Sequence, residues 1–221
     1  MSEPTLPDYR VQSDAVRDRF ARIKKRPVTM EVTGLSKTFQ SRHGTVTALK
    51  DINLSIHKRE FVCVIGPSGC GKSTLIRILA GLEQATEGEV KLDGKVVDKP
   101  GPERGMVFQG YTLFPWLTVK QNVMFGLRES GYDKGTAEAE ARQWIDLIGL
   151  ARFENSYPHQ LSGGMKQRVA IARAFASSPK ILFADEPTGN LDEGNGRIII
   201  EQLFEMNKEQ GTTLVMVTHD N

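Results

Sequence analysis

The chain has 221 residues, enough for one large domain or two small ones, with 25% charged residues and a net charge of +2. That balance lacks the basic excess of a nucleic-acid-binding domain, and two cysteines, Cys63 and Cys70, are too few for a disulfide framework and fit a reducing compartment. No apolar run approaches the roughly 18 residues of a membrane span, and the start at Met1-Ser2-Glu3-Pro4 has no signal-peptide core, so the chain is expected in the cytoplasm, acting on any membrane through a partner.

Residues 1–27 stand apart. They carry seven Lys/Arg against four acids, net +3, which leaves −1 for the rest. From Ser13 to Lys25 the pattern predicts a short helix with Val16, Phe20 and Ile23 on one face, ended by Pro27. This is either a basic amphipathic arm for headgroups or a membrane partner, or a solvated extension partly packed on the domain, which is the favoured reading. Residues 28–60 read as β-rich, with strands at 28–32, 45–49 and 52–56. Phe39 falls in the turn-prone segment 36–40, where an aromatic can stack on a base or serve the core.

Glu60 to Ile65 reads as a buried strand, and Leu75 to Ala80 as a helix stopping near Gly81. Between them lies Gly66-Pro67-Ser68-Gly69-Cys70-Gly71-Lys72-Ser73-Thr74, which fits the phosphate-loop pattern G-x-x-x-x-G-K-[ST]. Strand, glycine loop and helix together set it apart from a chance glycine turn. Glycines let backbone N–H groups close around an anion, and the helix adds its positive end. Lys72 can reach β- and γ-phosphates, the Ser73 hydroxyl can ligate Mg²⁺, and Cys70 reads as a small space-filler. A hairpin signal follows at 89–97 with Asp93-Gly94 as its turn, then a buried strand over 105–109 ending in Gln109. Residues 110–168 form a helical insertion with helices at 118–127 and 136–150; Trp144, Leu147 and Ile148 share a face, and Gly131, Gly135 and Gly149 mark joints. Leu161-Ser162-Gly163-Gly164-Met165-Lys166-Gln167-Arg168 opens a helix over 169–177. Ile181 to Ala184 is an apolar strand ending in Asp185-Glu186, a helix spans 198–210, and a last buried strand runs over 212–218 to His219. Two acids delivered by a buried strand to a sheet's carboxyl edge, in a chain with a phosphate loop, are the second half of an ATPase site. Asp185 would hold Mg²⁺ and Glu186 would polarise the attacking water.

These motifs resemble an ATP-binding-cassette (ABC) transporter ATPase subunit. Leu161-Ser162-Gly163-Gly164 before a helix marks that family. Gln109 (the Q-loop), Asp185-Glu186-Pro187, Asn190-Leu191-Asp192 (the D-loop) and His219 (the switch histidine) also match. The resemblance spans residues 28–221 and implies an α/β P-loop NTPase with a RecA-like core, an N-terminal antiparallel β-subdomain and a helical subdomain at about 110–168. It implies that Phe39 stacks on adenine, that residues 66–74 bind ATP, and that Gly69, Gly71, Lys72, Ser73 and Thr74 hold its phosphates. By the same resemblance Gln109 would join Mg²⁺ and the water, and His219 would contact the γ-phosphate. Leu161, Ser162, Gly163, Gly164, Met165 and Asp192 act on a second subunit's ATP, so that each site is complete only in a head-to-tail homodimer or cassette heterodimer. It further implies ATP and Mg²⁺ as cofactors, transmembrane permease subunits as partners, a periplasmic or extracellular solute-binding protein as an indirect one, and no nucleic acid. The chain would then sit on the inner face of the cell membrane.

Met165 stands where the signature often has Gln, which leaves the Ser and Gly contacts intact. Residues 113–119 and 161–168 resemble the nitrate/sulfonate/taurine importer ATPases, whereas 184–192 and 217–220 resemble the lipoprotein-release and macrolide-efflux ATPases. The first match governs partner choice, so the expected function is ATP hydrolysis powering import of a small anion such as nitrate, sulfonate, taurine or bicarbonate. Efflux or lipoprotein release is the alternative. The family pattern continues beyond His219, so the chain reads as truncated, and ATP binding with impaired hydrolysis is a further alternative.

Overall fold

The computed structural model describes residues 12–41 and 44–218. In chain order the elements are α1 (Asp14–Lys24), β1 (Val28–Ser41), β2 (Gly44–His57), β3 (Phe61–Ile65), α2 (Lys72–Leu79), β4 (Glu87–Leu92), β5 (Lys95–Val96), β6 (Arg104–Val107), α3 (Val119–Glu129), α4 (Lys134–Leu147), α5 (Gly163–Ala176), β7 (Ile181–Asp185), α6 (Glu193–Gln210) and β8 (Thr213–Thr218). Two four-stranded sheets result. One is antiparallel, in the order β2-β1-β4-β5; the other is parallel, in the order β3-β8-β7-β6. This is the expected cassette architecture of antiparallel β-layer, parallel core sheet and helices.

The parallel sheet is buried by its alternation. Ile181, Phe183, Val215 and Val217 face a core shared with α2 and the antiparallel sheet, through Leu75, Ile76, Leu79, Met30, Leu35 and Ile56. Leu182, Ala184, Leu214 and Met216 face the opposite core, built on Val123, Leu127, Trp144, Ile145, Phe175 and Leu203. Period-two side-chain alternation thus assigns the central strands β7 and β8 to both cores, as strands covered on two faces require. Register pairs Ile65 with Thr218, Asp185 with Val217, and Val107 with Ala184. All four strands therefore end at one edge, and the segments leaving that edge carry the candidate site.

Several expectations are corrected. β3 is not buried: Phe61 and Ile65 are 41% and 59% exposed, and Cys63 is exposed. The reason is its place at the end of the parallel sheet, paired only with β8 among the described residues. Residues 36–40 are strand, not turn, because β1 runs unbroken through Phe39 opposite Val46, absorbing its irregularities as register shifts. In α4 Trp144 and Ile145 are buried and Ile148 just beyond it is too, but Leu147 is half exposed on the outer face. Gly135 lies in the first turn of α4 rather than at a joint, whereas Gly131 and Gly149 have the positive φ of true joints. α5 and α6 start earlier than their apolar patterns, because Ser162 and Asp192 cap them and carry the weak helix formers Gly163, Gly164, Gly194 and Gly196 into the first turns. β6 stops at Val107, so Phe108 and Gln109 lie beyond it. The Asp93-Gly94 hairpin turn is present, both residues having positive φ. α1 buries none of its residues; its exit is tied by Arg26 Nη1, which donates to the carbonyls of Lys58 and Arg59.

Candidate active site

The phosphate loop joins β3 to α2. Gly69 and Gly71 have φ of +78° and +100°, and a Cβ on Gly71 would stand 2.5 Å from the Ala48 carbonyl oxygen. The loop can therefore close against β2 only with glycine at that position. Cys70 is exposed, its Sγ 3.1 Å from where a Cβ on Gly66 would be. Lys72 opens α2 and is buried; its Nζ donates to the carbonyls of Gly66 and Pro67 at 2.7 and 2.9 Å. The ammonium thus lies across the loop it serves. A phosphate there would replace neutral acceptors with charged ones, a stronger class of hydrogen bond.

Beside the loop, Ser73 Oγ donates to Asp185 Oδ1 at 2.8 Å. Asp185 ends β7 and is buried. Glu186 follows it, only 8% exposed, with φ of +47° and its N–H donating to the Val217 carbonyl at 3.0 Å. A non-glycine residue in the left-handed region carries strain that its surroundings must hold. Here the backbone bond to Val217, which extends the β7–β8 pairing, holds it. Gln109 lies next to the same turn: its carbonyl accepts from Asn190 Nδ2 at 3.0 Å, and its amide packs on Gly189, whose N–H donates to the Glu186 carbonyl. Phe39 is exposed opposite Val46, two residues along β2 from Ala48, hence about 7 Å along the strand from the loop contact. Lys37 Nζ stands 4.8 Å from its ring centre. Ser68 and Gly69 form the exposed crown of the loop, and Thr74 lies half-buried in the first turn of α2. His219 lies outside the described residues.

The signature forms a second cluster. Leu161 is buried, Ser162 is exposed, and Ser162 Oγ accepts from the Met165 N–H, capping the 14-residue α5. A Cβ on Gly163 would meet the Tyr111 hydroxyl at 2.6 Å and Leu191 at 3.4 Å; one on Gly164 would meet Asn195 Oδ1 at 3.0 Å. Side chains of this same chain thus pack closely on both glycines. Met165 packs on the helical core. Asp192 caps α6, accepting from the Asn195 backbone and side-chain amide. Those hydrogen bonds hold its carboxyl below the usual carboxylate range.

Sequence reasoning missed the residues that hold segment 108–118. Asn122 is fully buried and binds both the N–H and the carbonyl of Phe114, and the carbonyls of Leu117 and Thr118. Arg173 binds Thr112. An amide inside an otherwise apolar helix face was the available signal for Asn122; Arg173 gave none.

A phosphate loop, a hydroxyl–carboxylate pair and a strained glutamate at one edge of a parallel sheet define a phosphate-loop nucleotide-binding domain. Comparison then gives the family. The ABC transporter family model matches residues 49–189, and the chain belongs to that family. It is 48% identical over 191 residues to the nitrate import ATP-binding protein NrtD of Synechocystis, covering 86% of this chain and 72% of that one. It is 45% identical over 193 residues to the aliphatic sulfonates import ATP-binding protein SsuB of Bacillus cereus, covering 87% and 76%. Among solved structures, a dimeric post-hydrolysis state of the ATP-binding cassette MJ0796 bound to ADP and Pi superposes with a TM-score of 0.77 at 38% identity, covering 86% of this chain and 88% of that one. The protein is an ABC transporter ATPase.

Proposed function

We propose that this chain powers import of a small anion, nitrate or an organic sulfonate, by hydrolysing ATP in sites shared between two cassettes. The observation that carries hydrolysis is the Ser73–Asp185 hydrogen bond beside the buried, strained Glu186. Those oxygen donors suit Mg²⁺, which takes one or two protein oxygens and completes its shell with phosphates and water. When bound it would neutralise charge on the β- and γ-phosphates. Lys72 and the N–H groups of residues 66–74 would grip the phosphates, Phe39 would stack on adenine, Gln109 would reach the water and the ion, and Glu186 would polarise the water. His219 has the sequence position for the γ-phosphate contact.

Ser162, Gly163 and Gly164 would present the positive end of α5 to a second copy's γ-phosphate, with Met165 and Asp192 flanking. The dimeric state of the MJ0796 cassette supports a head-to-tail pair here. Import rather than efflux is supported by 45–48% identity to two import ATPases across most of the chain. The permease would sit on the aromatic surface of Phe114, Trp116 and Phe125, whose rings touch each other at 5.7 and 4.6 Å and leave Trp116 70% exposed. Among the described residues no helix is long and apolar enough to cross a membrane, consistent with a cytoplasmic subunit held at the inner face by a permease. We read residues 1–27 as an extension and 28–221 as the cassette.

Two experiments test this. Phosphate release by Glu186→Gln should fall by at least about 100-fold with ATP binding kept; undiminished release would remove Glu186 from the catalytic role. Co-expression with the adjacent permease genes and their solute-binding protein should give nitrate- or sulfonate-dependent ATPase stimulation in proteoliposomes. Stimulation by neither anion would overturn the substrate assignment.

A further inference from the structure

Residues 108–118 carry Gln109 at one end and the aromatic surface at the other. Although irregular, this segment is held at successive residues. Gln167 Nε2 donates to the Phe108 carbonyl at 3.3 Å, and Asn190 Nδ2 to that of Gln109. The Tyr111 hydroxyl presses on Gly163, and Lys166 Nζ lies 5.9 Å from the Tyr111 ring centre. Arg173 Nη1 donates to the Thr112 carbonyl at 3.0 Å and Nη2 to Thr112 Oγ1 at 3.1 Å. The same guanidinium carbon stands 5.6 Å from the Phe114 ring centre, and Phe114 stacks obliquely on Trp116. Thr112 has φ of +44°, a backbone state that a β-branched residue does not hold unaided. Gln167, Gly163, Lys166 and Arg173 all belong to α5, so the first half of the segment is fastened to the helix that begins at the signature, while Asn122 of α3, which packs on α5, holds the backbone of Phe114, Leu117 and Thr118.

We propose that Arg173 is a positioning residue coupling the nucleotide site to the aromatic docking surface: its forked grip on Thr112 and its contact with Phe114 make that surface move with α5. This rests on the reading above that Ser162–Gly164 meets the second cassette's ATP and that Phe114 and Trp116 face the permease. The fork explains the residue type. A guanidinium spans a carbonyl and a hydroxyl in one plane while lying on a ring; an ammonium is a single point donor. A displacement of α5 on ATP binding is then delivered to the Phe114 ring through Arg173, beside the backbone grip of Asn122 on the neighbouring α3, and by linkage a partner seated on Phe114 biases the nucleotide site.

The chain supplies its own reporter. It has two tryptophans, Trp116 exposed and Trp144 buried against Phe175, so acrylamide quenches Trp116 selectively. Quenching is measured on the full chain carrying Glu186→Gln, with and without Mg-ATP, and ATP affinity is measured separately with a fluorescent analogue. With Arg173 present, Mg-ATP should change the quenching constant by about twofold. Arg173→Lys should abolish about half or more of that change with ATP affinity held within about threefold. Thr112→Val, which keeps the side-chain shape and removes the accepting hydroxyl, should lose a smaller share. If thermal unfolding shows that Arg173→Lys does not fold, Thr112→Val decides alone. A full ATP-dependent change in the folded variants, or no change in the parent despite ATP binding, overturns the coupling and leaves the ATPase reading intact. Failure of the parent to bind ATP overturns both.

Discussion

At the scale of single residues, the site combines groups held ready with groups held under strain. Lys72 and Ser73 are held ready, satisfied by the Gly66 and Pro67 carbonyls and by Asp185. Asp185→Asn keeps the shape of the Ser73 partner and removes its charge, so ATPase activity should need on the order of tenfold more Mg²⁺ while unfolding barely shifts; an unchanged Mg²⁺ requirement would separate Asp185 from the ion. Ser162 has two duties that substitution can separate. Asp caps helices as well as Ser does, whereas Ala costs about 1 kcal/mol. Ser162→Asp should therefore unfold like the parent yet lose most ATPase activity, because it sets a carboxylate against a γ-phosphate. Ser162→Ala should show the reverse emphasis, a measurable loss in urea stability with a smaller loss of turnover. Equal activity in Ser162→Asp and the parent would leave that residue only a cap. The residues of this list were legible in the sequence because anion binding needs few residue types at fixed spacing. Arg173 was not, and Asn122 only as an amide on an apolar helix face, since groups that bind loop carbonyls follow loop geometry that no spacing rule encodes.

Elements are legible to the extent that one neighbour decides them. β7 and β8, buried on both faces, read correctly as continuous apolar runs. β3 has the same composition but lies at the sheet's end, and composition does not report position in the sheet order. Helix starts were missed where a cap carries glycines into the first turn, as at Ser162 and Asp192. Two substitutions test the packing of elements. Gly71→Ala combines a positive φ with a 2.5 Å collision at the Ala48 carbonyl. It should destabilise by more than about 1 kcal/mol in urea unfolding and abolish ATP binding; full binding would show that the loop does not need its contact with β2. Trp144→Ala removes a ring stacked on Phe175 in the core that α4 shares with α5. A cost of about 3–5 kcal/mol is expected, and less than about 1 kcal/mol would mean that α4 is not packed as described.

Across the whole molecule, the phosphate loop and the signature lie in clusters built on different contacts. The loop closes on β2 and β7; Ser162–Gly164 closes on Tyr111, Leu191 and Asn195. In a head-to-tail pair each loop would meet the other copy's signature, and an isologous two-fold makes both sites alike. ATP held between the faces would supply an attraction between the two copies. The direct test uses two inactive chains. Lys72→Ala breaks the loop and spares the signature, and Ser162→Asp does the opposite. If sites are shared, mixing the two creates heterodimers with one site made wholly of intact parts, and phosphate release should recover to about a quarter of the parent rate, half the dimers each having one of two sites. Release no greater than the sum of the two variants measured alone would contradict the shared site and return the whole of it to a single chain.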